Sequence, residues 1–219
     1  MQHGECIFIC PCCFSGLKND RLPAAMNHER LFHISDDPRI KVFEPLPAFF
    51  YSGIVKQNVV FAIESGMLHN YLLPRNCPRV SFYAGNETSK TDKRKFLGMT
   101  SASHVICVES GWLSAIQRTT LYCYEFLPET FVLFDADAGY YISRSTVIPV
   151  AAKPLYNLQE EMLKRNVELR FMPSITEVAR LVQRSTLNFS LIRMQNAQPE
   201  NVKNAVRYKT FPGYNGRIG

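Results

Sequence analysis

No stretch of this chain is apolar for long enough to cross a bilayer. Its longer apolar runs, such as Val59-Val60-Phe61-Ala62-Ile63, fall far short of the roughly 20 residues a spanning helix needs. Gly-x-Gly-x-x-Gly, a Walker loop, His-Glu-x-x-His and Gly-x-Ser-x-Gly are all missing. The common phosphate cradles, the zinc-protease helix and the serine-hydrolase elbow therefore lack sequence support. There is no internal repeat. Cys6, Cys10, Cys12 and Cys13 crowd the start, but no second Cys/His pair follows at zinc-site spacing, and the adjacent Cys12 and Cys13 are badly placed to chelate one ion. No metal is expected. A secretory signal at Cys6–Phe14 lacks both a basic lead-in and a clean small-residue cleavage site.

What is present is ordinary globular material. Of 219 residues, 46% are apolar and 20% charged, enough for one domain to bury a core without staples. Cysteine number is odd, at seven. Cys77, Cys107 and Cys123 lie in or beside strand-like segments and read as buried free thiols, which points to a reducing, cytoplasmic setting. The formal charge of +6 is uneven. Residues 199–219 carry Lys203, Arg207, Lys209 and Arg217 against Glu200. With half the basicity in a tail, nucleic acid is an unlikely partner for the whole protein, and a small anionic molecule suits the mildly basic remainder.

Pattern divides the chain into three. Residues 1–30 form a leader, disordered or an upstream extension before an internal start at Met26. Residues 31–196 form one α+β domain, and residues 197–219 a basic mobile tail. Strands are predicted at Leu31–Ser35, Val59–Ile63, Arg79–Tyr83, His104–Val108, Thr120–Phe126, Thr130–Phe134, Tyr140–Ser143, Thr146–Leu155, Glu168–Phe171 and Phe189–Met194. Helix-compatible stretches are Glu64–Leu73, Thr88–Leu97 with a cap-like Ser89-x-x-Asp92, and Ser110–Arg118. Capping-box spacings at Asn157-x-x-Glu160 and Ser174-x-x-Glu177 mark two more. Several strands adjoin without room for a crossover helix, so the sheet is predicted to be mixed and mostly antiparallel.

Two stretches carry a resemblance. One is Leu31-Phe32-His33-Ile34-Ser35 followed by Val59–Ile63. The other is Thr120-Leu121-Tyr122-Cys123-Tyr124-Glu125, followed by Gly139-Tyr140-Tyr141-Ile142-Ser143-Arg144-Ser145 and Val147-Ile148-Pro149-Val150. Together, residues 31–196 resemble a family of uncharacterised bacterial proteins known only as a domain of unknown function. More distantly, the order of elements is similar to the small rifampin-type ADP-ribosyltransferases. That likeness implies a split sheet with flanking helices, NAD as cofactor, and chemistry at the nicotinamide–ribose bond. It implies that His33 orients the ribose and that Arg144 meets phosphate. Phe61 stands where that family has a tyrosine against nicotinamide, so the ring is kept and the phenol lost. The acid has no unique match: Glu125 holds the strand position, Asp135 and Asp137 the loop position. Breaking this bond builds positive charge on the ribose, which is why a carboxylate belongs nearby.

Each of these residues also has a structural explanation. His33 alternates with Phe32 and Ile34 and could be a strand histidine bonded to backbone. Phe61 could be core, and Glu125 could pair with Arg144. Asp135 and Asp137 precede Gly139, where turn chemistry accounts for them. Arg75 and Arg79, around Pro74 and Pro78, could be solvated or could line the same cleft. The alternatives to an enzyme are a non-catalytic small-ligand-binding module on the same fold and a nucleic-acid-associated protein using the basic tail.

Overall fold

In the computed structural model the described residues are 30–49, 56–136 and 138–199. The leader, apart from Arg30, and nearly all of the tail lie outside them, as does Asp137. The order of elements builds an α+β fold of two mostly antiparallel sheets. The larger contains β1 (Leu31–Ser35), β2 (Leu46–Phe49), β3 (Lys56–Glu64), β6 (Leu121–Phe126), β7 (Val132–Asp135), β8 (Tyr140–Ser143) and β9 (Ala151–Leu155). Its order is β7-β8-β3-β1-β6-β9, with β2 paired to β3. The smaller has the order β10-β5-β4-β11, from β4 (Arg79–Tyr83), β5 (His104–Glu109), β10 (Val167–Met172) and β11 (Asn188–Ile192). The β10–β5 pairing alone is parallel.

Alternation along β5 shows how the smaller sheet is buried on both faces. Ile106 and Val108 point into a core shared with Leu121 of β6 and with Leu158 and Met162 of the helix Leu158–Lys164. Val105 and Cys107 point the other way, onto Ile175, Ala179 and Val182 around the helix Thr176–Val182. A third cluster covers the far side of the larger sheet with Leu31, Val60, Tyr124, Phe126 and Phe131. Burial of this much apolar side chain, at about 25 cal/mol per Å², is what drives the sheets together.

Several expected elements change form. Glu64–Leu73 is not an α-helix; Ser65–Tyr71 winds as a 3-10 helix. Thr146–Leu155 is strand only over Ala151–Leu155, while Val147 makes an isolated bridge to Phe43. Leu46–Phe49, within a proline-bearing stretch whose sequence allows extended chain or loop, pairs with β3. Of the residues expected as tail, 197–199 are described, and Gln198 is held at both backbone groups. The Gln198 amide donates to Glu109 Oε1 at 2.8 Å, and its carbonyl accepts from Thr176 Oγ1 at 3.0 Å. Gly139 sits at φ +65° in the β7–β8 turn, where an added Cβ would lie 2.6 Å from Glu64 Cγ. Both facts call for glycine there.

Candidate functional site

The site begins where a ladder stops. β1 and β3 pair at Leu31–Glu64 and Phe32–Ile63, and no further pair follows. Past that point His33 replaces the ladder with its side chain: Nδ1 lies 3.0 Å from the Phe61 carbonyl oxygen. A carbonyl only accepts, so Nδ1 must carry the proton, and in the neutral ring Nε2 is then an acceptor. The imidazole also packs on Phe43, with ring centroids 4.9 Å apart.

The parted strands leave a recess of about 40 Å³. Its walls are the apolar side chains of Phe32, Ile34, Phe61 and Ile63, with polar groups from His33, Tyr71 and Tyr140. Tyr71 comes from the 3-10 helix and Tyr140 from the start of β8. Their hydroxyls are in hydrogen-bond contact. An apolar slot with a few convergent polar groups is the usual makeup of a small-molecule site. A water needs roughly 10–15 Å³ of such space, so the recess admits the end group of a ligand rather than a whole nucleotide.

Behind Tyr71 lies Arg79, only 3% exposed, with its guanidinium 5.8 Å from the Tyr71 ring centre. The turn bracketed by Pro74 and Pro78 aims two carbonyls at it. Nη1 donates to Cys77 O at 3.1 Å and Pro74 O at 3.4 Å, while Nε has no partner. Burial is the main influence lowering its affinity for a proton. Among the described residues no carboxylate forms an ion pair with it. Beside this lies a stack of aromatic rings between the sheets: His69 on His104 at 4.2 Å, and His104 on Tyr83 at 4.6 Å. Burial, and then the neighbouring His104, push the His69 pKa down to about 3.

The structure brings His33 and Phe61 to one recess. It gives the other candidates separate partners. Glu125 takes Arg30 at 3.2 Å, not Arg144. Arg144 is exposed and donates to Gln57 Oε1 at 3.0 Å. Asp135 accepts from the Ala138 amide at 3.0 Å, within its turn. Arg75 pairs with Asp36 at 3.6 Å on the surface. Cys77 and Cys107 are buried and Cys123 half-buried, all as free thiols, pushed up to about 12, 11 and 11 by burial. Among the described residues no group of His, Cys, Asp or Glu side chains could hold a metal ion. No helix there is long and apolar enough to cross a membrane.

Sequence reasoning missed Tyr71 and Tyr140, and left Arg79 open between solvent and the cleft. The alternation in Arg79-Val80-Ser81-Phe82-Tyr83 did mark a polar face, but a polar strand face ordinarily meets solvent. Here it meets the second sheet.

A known family matches residues 32–197. The chain belongs to DUF6886, a family of unknown function. No curated protein and no solved structure matches this DUF6886 chain. What it does must therefore be argued from the recess itself.

Proposed function

We propose that this DUF6886 protein binds a small nucleotide-like molecule at the β1–β3 recess, with His33 and Phe61 as contact residues. The observation that carries the reading is the parted ladder. It leaves an apolar slot that His33, Tyr71 and Tyr140 help to line. In the ligand-free protein His33 Nδ1 is committed to the Phe61 carbonyl, so Nε2 is the atom that meets a ligand hydroxyl. A ring of the ligand stacks at the mouth, because the slot itself is too small for one.

A more specific reading is NAD as cofactor and an ADP-ribosyltransferase-like reaction on a split-sheet scaffold. It is favoured by one observation: His33 and Phe61, the residues that the resemblance assigns to ribose and nicotinamide, line the same recess. Tyr71 and Tyr140 would restore the phenol that Phe61 lacks. The reaction needs a carboxylate beside the ribose. Glu125 would have to leave Arg30, or Asp137 would have to supply the charge.

The test is thermal shift of the full chain with NAD, ADP-ribose and nicotinamide, beside a nicotinamide-release assay. A ligand at 100 times its Kd stabilises by about 2.7 kcal/mol, a rise of about 5–10 °C for a chain of this size. His33→Ala should abolish that rise. No shift with any of the three ligands on the wild-type chain would sink the nucleotide reading. Binding without nicotinamide release would leave a ligand-binding module and reject the transferase.

A further inference from the structure

The unresolved feature of the interior is the charge of Arg79. A guanidinium is protonated at any physiological pH. Burying it without a carboxylate is costly, and two backbone carbonyls with partial charge offset that only in part. The groups whose charge acts on it are the Cys77 thiol, the Tyr71 and Tyr140 phenols and a second cation, Arg193. Burial holds the Cys77 thiol neutral. Phenols carry no charge at neutral pH at their ordinary values, and Arg193 adds to the positive field. Tyr71 faces the guanidinium with its ring, and Tyr71 and Tyr140 both line the cavity.

We propose that the recess takes the oxyanion end of its ligand, a carboxylate or phosphate group, held by the Tyr71 and Tyr140 hydroxyls in the field of Arg79. This rests on the recess being the ligand site. The size of the recess suits such a group, since about 40 Å³ is the scale of a few atoms and not of a ring. The chemistry suits it as well. A phenol O–H donates to an anion with charge-assisted strength; the two hydroxyls bond each other, so the anion replaces that contact, and a cation 5.8 Å from the Tyr71 ring centre among apolar walls is less screened than in water. His33 then faces the part of the ligand next to the anionic end.

Calorimetric titration of the full chain with inorganic phosphate and with acetate, against chloride at matched ionic strength, tests this. Saturable binding of phosphate or acetate is expected, weakened roughly tenfold or more in Tyr140→Phe and in Arg79→Gln, and kept within a few fold in Arg79→Lys. If Arg79→Gln does not fold, Tyr140→Phe carries the test, because it removes one oxygen and leaves the ring. Absence of oxyanion binding at about 10 mM, or equal binding in Tyr140→Phe, overturns the proposal. So does a tyrosine absorbance titration showing a phenol of the ligand-free protein, lost in Tyr71→Phe or Tyr140→Phe, already ionised near pH 7. The anion facing Arg79 would then be a phenolate. A neutral ligand such as nicotinamide that binds without competition from phosphate would leave the nucleotide site standing and reject the oxyanion subsite. Phosphate binding without nucleotide binding would do the reverse.

Discussion

Replacing His33 by alanine removes three things at once. The Nδ1–H bond to the Phe61 carbonyl is lost, at about 1 kcal/mol. That carbonyl then sits without its partner where β1 and β3 part, for up to another 1–2 kcal/mol if water cannot reach it. The ring contact with Phe43 goes too, at about 0.5–1.5 kcal/mol. The recess beside Phe61 can admit a water to the freed oxygen, which pulls the sum toward its lower end. We expect His33→Ala to lose about 2–3 kcal/mol in urea unfolding followed by far-UV circular dichroism. The melting midpoint should fall by about 4–10 °C, with the denaturant slope unchanged. His33→Asn, whose amide can still donate to a nearby carbonyl, should recover part of the loss. A change below about 0.5 kcal/mol in His33→Ala, the level of ordinary surface substitutions, would refute the claim that this side chain stands in for the missing ladder.

Two further outcomes follow from the interior. With His69 held near a pKa of about 3 in the fold and at about 6.5 in the unfolded chain, neither state is protonated above pH 6.5. Below that only the unfolded chain takes the proton, so stability should fall by about 1.4 kcal/mol per pH unit between pH 6.5 and 4 from this group. His104, also lowered by burial, acts in the same direction. Urea midpoints at pH 7, 6 and 5 read this slope, and a His69→Gln profile as steep as wild type would contradict it. Gly139→Ala should lose about 1–3 kcal/mol, from a left-handed backbone angle that alanine resists and from a Cβ forced onto Glu64. An unchanged melting temperature would show that the β7–β8 turn is not held as described.

Much of the scaffold was legible because strands announce themselves locally. Leu31–Ser35, Arg79–Tyr83 and Tyr140–Ser143 appear within the bounds that apolar, β-branched and aromatic runs set for them. The cap at Ser89 was legible as well, since its hydroxyl accepts from the Asp92 amide at 3.1 Å. Where local pattern failed, the cause was pairing. Leu46–Phe49 carries a proline and became a strand only because β3 offered an edge to it. Glu64–Leu73 has helix-forming residues, yet packing of Met67 and Leu68 with Ile63 and Tyr140 selects a tighter 3-10 winding.

The resemblance is what drew attention to His33 and Phe61; the sequence by itself determined an α+β fold with mostly antiparallel strands. It could do so because side-chain alternation and turn residues are properties of a few neighbours. The tertiary structure alone decided what those two residues face. Ladder length between β1 and β3 depends on how two distant strands diverge, and that divergence opened the recess. The contact of Tyr71 with Tyr140 spans 69 positions, and no local pattern relates them. The polar face of β4 became interior, with Arg79 at its head, only because the larger sheet closed over it.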